Sequence, residues 1–401
     1  MSAIHLVEVG LAWPPEPFLC RKLEGLAARG LRVTVAAEVP RSRRKETLSG
    51  VALLRLGHAR EPRAVTAFWV FVDGVRLAAR GPRRLLRVMR ASRKPQLLRA
   101  ALPLVLADAD VVQFEWEGSA LRFLPLFDQL DCPIVAGCRG SGINIYPHVG
   151  YRGRAERYSL VFAKAAAVHC VSDAIKREAA RYGLEDAKAR VIRAGVDTDF
   201  FRPGQRADAT ELRVVGVGDL TWVKGYDYAL DAIALLVCEG VPAHYEIVGP
   251  DPGPERGVPP DRRRLLYLIH ELGLEGRVRL LGGLPPQQVR ERLHGADVLL
   301  QASVAEGIPN AVLEAMACEV PVVVTDCGGL REAITDGVEG FISPPRSPAA
   351  LAAALAALWQ DRALARRMGQ AGRARVLAEF TLPRQLDDFV RLYEEVTRSR
   401  R

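Results

Sequence analysis

The chain has 401 residues, 49% of them apolar, and a formal charge of +9 in which arginine far outnumbers lysine. That length suffices for two ordinary domains, each with its own core. No stretch approaches the roughly 20 consecutive apolar residues of a membrane span, and the N-terminus lacks the charged start and cleavage site of a signal peptide, so a cytoplasmic protein is expected. Seven cysteines, at positions 20, 132, 138, 170, 238, 318 and 327, show neither metal-ligand spacing nor a disulfide framework. Several lie in apolar runs and read as small core residues in a reducing compartment.

The first elements are a strand, IHLVEVG, a loop, LAWPPEPF, a helix closed by Gly30 and a second strand, LRVTVAA. This strand–helix–strand rhythm predicts a parallel sheet. The loop lacks the spaced glycines of a dinucleotide fingerprint. From Arg41 to Lys94 the pattern is less regular. Around Ala67 to Met89, Phe68, Trp69, Val70, Phe71, Leu77, Leu85, Leu86 and Val88 interleave with arginines, which predicts at least one amphipathic helix. Between Gly74 and Ala107 there is no acidic residue, while Arg76, Arg80, Arg83, Arg84, Arg87, Arg90, Arg93, Lys94 and Arg99 crowd in. Residues 74–107 therefore read either as helix packed on its own core or as a peripheral surface for anionic membrane lipid. No nucleic-acid recognition motif accompanies the charge, so no nucleic-acid partner is expected.

The strand ADVVQFEWEG follows, then a leucine-rich helix, then the strand CPIVAGCRG, which ends at Arg139, Gly140, Ser141 and Gly142. A strand end running into a glycine turn is a natural ligand site. Arg139 suits either an anionic group or a structural salt bridge, and His148 is either a site residue or a loop residue. The run AAVHCVSDAIKREAARYGL predicts a strand and a helix with Ser172 as N-cap. Pro203 to Thr210 has the composition of a linker, which divides the chain into domains at 1–202 and 203–381, with a last helix over 382–401.

The second half opens with ELRVVGVGDLTWVKGYDYALDAIALL, a strand, a loop holding Gly218 and Lys224, and an amphipathic helix. An ammonium at such a turn is a point charge suited to a diphosphate. The strand and turn HYEIVGPDPG place Gly249 beside such a ligand, and VRLLGG ends in Gly282 and Gly283. The strand ADVLLQAS then delivers the loop that carries Glu306. A helix follows, opening at Pro309, whose missing N–H is no loss there. Ile308 before it has no side-chain oxygen with which to cap the helix, so the first amides need an outside acceptor. Gly307, Ile308, Pro309 and Asn310 thus form a candidate anion site at the positive end of a helix dipole. Glu314 lies about one and a half turns into that helix, so that Glu306 and Glu314 flank one bound molecule. Val320 to Val324 read as a buried strand, Gly328 and Gly329 as the start of the next helix, Gly340 and Phe341 as a further turn, and Pro348 to Leu358 as an alanine-rich helix. Each glutamate alone reads equally well as a solvated helix or loop residue.

Taken together, Glu306 and Glu314 with seven residues between them, Gly-Ile-Pro-Asn, Glu-Ala-Met-Ala, Pro-Val-Val-Val-Thr and Gly-Gly-Leu-Arg-Glu resemble the donor-binding signature of retaining glycosyltransferases of family 4. The resemblance implies the α/β GT-B fold, two Rossmann-like domains with parallel sheets facing across a cleft. It implies donor binding in the second domain, acceptor binding in the first, and a last helix that crosses back to the first. It implies that Glu306 holds hydroxyls of the donor sugar and Glu314 the ribose, that Lys224 and the helix amides hold the diphosphate, and that Gly282 and Gly283 meet the base through their backbone. The loop Pro-Pro-Glu-Pro-Phe, with Glu16, is similar to a family loop that faces the acceptor, with Arg139 and Gly140 on the same side.

The implied reaction is transfer from a nucleotide diphosphate sugar, the only co-substrate, with no metal and no bound cofactor. The segment Lys-Gly-Tyr-Asp-Tyr-Ala-Leu at 224–230 is similar to bacterial cell-surface polysaccharide members. Three family positions differ: Asp219 stands where an arginine is usual, Gly142 where Asp or His is usual, and Ala194 where Asn is usual. Two other readings stay open, a nucleotide-sugar epimerase or hydrolase that turns over without acceptor, and a degenerate binding or scaffold subunit that holds donor weakly.

Overall fold

A computed structural model of the chain describes residues 3–39, 47–57, 61–92, 94–149, 154–205, 210–251 and 261–399. Packing divides it into two units. The first holds the chain up to Val171, Ile175–Ile192 and the segment from Leu386 onward; the second holds Ser172–Ala174 and Arg193–Gln385. The division falls earlier than the polar segment Pro203 to Thr210. Tertiary pairing accounts for this: Val196 N–H donates to Phe380 O and Leu382 N–H to Val196 O, each at 2.8 Å, which ties the residues after Arg193 to the second unit. Arg93 of the basic run and linker positions 206–209 lie outside the described residues.

The first unit is built on seven strands, β1 (His5–Leu11), β2 (Arg32–Ala37), β3 (Val51–Arg55), β4 (Val111–Phe114), β5 (Ile134–Cys138), β6 (Ala167–Cys170) and β7 (Ala189–Val191). They form one sheet in the order β3-β2-β1-β4-β5-β6-β7, with every pairing parallel. Strands β4, β5 and β6 are buried along their whole length, as expected of parallel strands covered on both faces. Phe114 at the end of β4 stacks at 5.2 Å on Phe127. Burying a ring of that size contributes on the order of 2 kcal/mol.

The irregular segment between β3 and β4 becomes three helices, Arg63–Arg80, Pro82–Ala91 and Pro95–Leu106. Proline opens the second and third of them. The first helix buries Asp73, Gly74 and Leu77 and leaves Phe68 (58%), Phe71 (69%) and Val75 (54%) in solvent. The predicted amphipathic helix is thus apolar on more than its inward face.

The second unit has β8 (Leu212–Val217), β9 (Ala243–Val248), β10 (Val278–Gly282), β11 (Val298–Gln301), β12 (Val322–Thr325) and β13 (Gly340–Ser343). Their order is β10-β9-β8-β11-β12-β13, again all parallel. Gly340 and Phe341 therefore open the last strand instead of closing a turn. A Cβ on Gly340 would lie 2.0 Å from Val322 O, so only glycine lets β13 pair there. The buried run predicted at Val320 to Val324 forms a strand two residues later, Val322–Thr325. Helix Tyr226–Cys238 buries Tyr226, Ala229, Leu230, Ile233 and Leu236, a helical stripe that fixes the loop before it to the sheet. Both sheets have the doubly wound order in which the strand sequence reverses next to the first strand. Among the described residues no helix is long and apolar enough to cross a membrane.

Candidate functional site

In the second unit the strand order reverses between β8 and β11, where ligands of open parallel sheets bind beyond the strand ends. The loop after β8 brings in Lys224 and the loop after β11 brings in Glu306. Lys224 Nζ donates to Glu306 Oε1 at 2.6 Å. The same oxygen accepts from Ser303 Oγ at 2.8 Å, and Gln301 Nε2 donates to Ser303 Oγ at 2.8 Å. Thr325, at the end of β12, donates its hydroxyl to Ser303 O. Gln301, Ser303 and Thr325 are all buried, so the carboxylate of Glu306 is oriented by a chain of satisfied polar groups.

Burial by itself lowers the pKa of Lys224, but the Glu306 carboxylate and then the Asp219 charge more than offset it, and the ammonium titrates above its ordinary range. Burial and the Glu306 charge push the Cys327 thiol up to about 12, so it stays protonated and inert at neutral pH.

The loop itself is closed by hydrogen bonds. Gly218 N–H donates to Val248 O at 2.9 Å and Lys224 N–H to Thr221 O at 3.0 Å, while the Tyr226 hydroxyl donates back to Gly218 O at 2.7 Å. Gly225 sits at φ +64, and a Cβ there would meet Ala302 O at 2.0 Å. A Cβ on Gly249 would meet Gly218 O at 1.8 Å, so the ends of β8 and β9 close together only because that residue is glycine. Gly249 N–H donates to Gly282 O at 2.9 Å, and Gly283 lies against Pro250. The structure thus gathers Gly218, Lys224, Gly249, Gly282 and Gly283 along the ends of neighbouring strands. Trp222 is half exposed.

The helix after Glu306 runs Asn310–Ala317, with Pro309 at the N-cap position instead of the first helical one, and no side chain caps it. Gly307, Ile308 and Pro309 are buried and Asn310 is half-buried. Glu314 is half-buried on a helix whose Val312, Leu313, Ala315, Met316 and Ala317 face the core. Gly329 N–H donates to Gly307 O at 2.7 Å, tying the next glycine turn to this loop. Glu332 accepts from the amides of Asp173 and Ala174 at 3.0 and 2.8 Å and from Arg193. Ser172 precedes helix Asp173–Ala180, as expected of an N-cap, but those first amides are satisfied by Glu332.

The candidates of the first unit surround a buried charge cluster. Lys22 Nζ donates to Glu8 Oε1 and Glu115 Oε2, both at 2.7 Å. Arg139 donates to the other oxygen of Glu115 and lies over the rings of Phe18 and Trp116. Gln113 Nε2 reaches Glu115 at 2.8 Å, and Tyr393 donates to Gln113 at 2.7 Å. Burial lowers Lys22 to about 8 against the pull of Glu8, and lowers Arg139 to about 10 against Glu8 and Glu16.

Arg139 is therefore engaged in a structural ion pair. Glu16 is exposed at the N-cap position of helix Pro17–Ala28, and Gly140 starts the short helix Ser141–Asn144. A Cβ on Gly142 would lie 2.3 Å from Glu117 Oε2, so the Glu117 carboxylate fills the space that a side chain at 142 would take. His148 meets the Tyr182 hydroxyl at 3.2 Å. The sequence reading missed Glu8, Lys22, Glu115, Gln301, Ser303 and Thr325. Polar residues inside otherwise apolar strands, such as Glu8 in HLVEVGL, were the available signal.

A family model described as "Glycosyltransferase Family 4" matches residues 18–200, and one described as "Glycosyl transferases group 1" matches residues 197–375. The putative colanic acid biosynthesis glycosyltransferase WcaL of Escherichia coli (strain K12) is 35% identical over 210 residues, 51% of this chain and 50% of that protein. The chain spans about half the length of the curated relatives it matches. Among solved structures, a sucrose-phosphate synthase from Thermosynechococcus elongatus aligns over 99% of this chain and 100% of its own, with a TM-score of 0.81 and 20% identity. Anabaena HepE in complex with UDP-glucose aligns over 98% and 100%, with a TM-score of 0.76 and 17% identity.

Proposed function

The chain belongs to glycosyltransferase family 4 and has the GT-B fold, and on that premise we propose that it transfers a sugar from a nucleotide diphosphate sugar to a hydroxyl of a polysaccharide, lipid-linked or glycoside acceptor, with retention at the anomeric carbon. The observation that carries this reading is the Lys224–Glu306 pair, 2.6 Å apart, at the sheet's switch point beside the uncapped start of helix Asn310–Ala317. The barrier lies in parting an anionic diphosphate from a cationic sugar, so the protein must supply preorganised positive potential at the leaving group. Lys224 and the first amides of that helix provide it without a metal. Glu306, oriented by Ser303, holds donor hydroxyls; Glu314 holds the ribose; Gly282 and Gly283 offer backbone groups to the base.

The first unit takes the acceptor, with Glu16 and Gly140 near it and Arg139 acting through the fold of its charge cluster. The exposed Phe68, Phe71, Val75, Leu86 and Met89, set among arginines, support peripheral attachment of residues 74–107 and the helix before them to an anionic membrane face. The similarity to WcaL supports a place in polysaccharide biosynthesis.

Calorimetric titration of wild type and Lys224→Ala with UDP, GDP and ADP, without metal, tests the donor site. Micromolar binding of one nucleotide, weakened by the substitution, is expected; no binding of any would overturn the reading. With the matching nucleotide sugar, NMR of the product anomer tests retention. A second reading, a degenerate subunit that binds donor weakly, rests on the Asp219 charge acting on the same ammonium. The same titration separates the two.

A further inference from the structure

Asp251 follows Gly249 and Pro250, where β9 runs out beside the end of β10. Gly249 N–H donates to Gly282 O at 2.9 Å, and a Cβ on Gly283 would rest 3.4 Å from Pro250 Cβ. Pro250 O in turn accepts from Leu220 N–H at 2.9 Å, which ties the segment to the loop that carries Lys224. Asp251 therefore borders the glycine turn that the transferase reading gives to the base.

Its carboxylate stands apart among the described residues. Oδ1 is shielded from solvent and accepts no hydrogen bond. The carboxylates of Glu8, Glu61 and Asp227 also have such an oxygen, but each of them is paired with a cation, Lys22, Arg99 and Arg264 respectively. Asp251 makes no ion pair with any described residue. A shielded anionic acceptor left without a donor costs folding free energy. A ligand N–H is the partner this position lacks. Gly283 beside it is exposed, and its N–H donates to no group of the described residues.

A peptide N–H next to a carboxylate presents one donor and then two acceptors. Guanine is the base whose edge answers that order, since O6 accepts while N1–H and the N2 amino group donate. Uracil would set a carbonyl oxygen against the carboxylate, and adenine its N1 lone pair. We propose that Asp251 selects guanine, receiving N1–H and the N2 amino group while Gly283 N–H donates to O6, so that the donor is a guanosine diphosphate sugar. The inference rests on the transferase reading and deepens it by naming the base.

The test titrates GDP, UDP, ADP and xanthosine diphosphate into the full chain by calorimetry; xanthine carries a carbonyl where guanine has the N2 amino group. Wild type should bind GDP about tenfold or more tighter than the other three, because the wrong base leaves the carboxylate unpaired. Asp251→Asn should reverse the order of GDP and xanthosine diphosphate, since the amide offers a donor to the new carbonyl. Tighter binding of UDP or ADP, or an Asp251→Asn variant that keeps the wild-type preference, would overturn the base assignment. Lys224→Ala separates the two readings. Binding that this variant weakens, but with uracil or adenine preferred, leaves the donor site standing and removes only guanine; no binding of any nucleotide removes the donor site itself.

Discussion

Lys224 and Glu306 are 82 residues apart in the chain and meet at 2.6 Å between Nζ and Oε1. Without ligand the pair is nearly neutral, and the Glu306 carboxylate holds the Lys224 ammonium above its ordinary titration range. A diphosphate entering beside them would share the ammonium.

Replacing Glu306 with alanine removes that counterion. Transfer should fall below detection, and the protein should stay folded with a loss of about 1–3 kcal/mol, because the ammonium and Ser303 lose a charged partner. Urea unfolding and a transfer assay on the same preparation check this; a fully active variant would sink the site assignment.

Asp219→Asn removes a negative charge that acts on Lys224 and Tyr226. Affinity for the bound nucleotide should rise by about three- to tenfold at low salt, with the gain shrinking as salt is added. Unchanged affinity at every ionic strength would mean that this carboxylate is turned away from the ligand.

Gly328 sits at φ +57, and a Cβ there would lie 1.9 Å from Glu306 O. Gly328→Ala should therefore displace the Glu306 loop and lower nucleotide affinity. Gly240→Ala, at φ +83 with open space around it, should cost only about 1–2 kcal/mol of backbone strain and leave affinity intact. If the two variants bind nucleotide equally well, the close contact is not what positions Glu306.

Lys22 titrates near 8 in the folded chain, pushed down by burial, against 10.5 for an ordinary lysine. Between those values the unfolded chain holds a proton that the folded chain has released. Unfolding at pH 9 should then take up about one proton from this group, and its contribution to folding stability rises with pH across that window. Calorimetric unfolding in buffers of different ionisation enthalpy measures the uptake; Lys22→Met should take up about one proton fewer.

The alternation of apolar runs with helical stripes made the two parallel sheets legible, because strand and helix periods are local properties of the chain. The glycine turns and the loop residues Lys224 and Glu306 were legible for the same reason, since they follow strand ends. Other features were not. Helix Asn310–Ala317 begins one residue later than the proline rule suggests, and Gly340 serves strand pairing, which depends on a neighbour, Val322, that local pattern does not reveal. Arg139 looked equally suited to a ligand or a salt bridge, and only its closeness to Glu115 decides for the pair.

By itself the sequence determined the strand and helix inventory, the placing of glycine where backbone must approach backbone, and the family signature around Glu306. Tertiary structure alone decided the partners: Lys224 with Glu306, Lys22 between Glu8 and Glu115, and Glu332 on the amides of Asp173 and Ala174. The reason is physical. Periodicity is set by bonds and sterics within a few residues, whereas the meeting of charges depends on strand order, and a parallel sheet brings together segments that the sequence holds far apart.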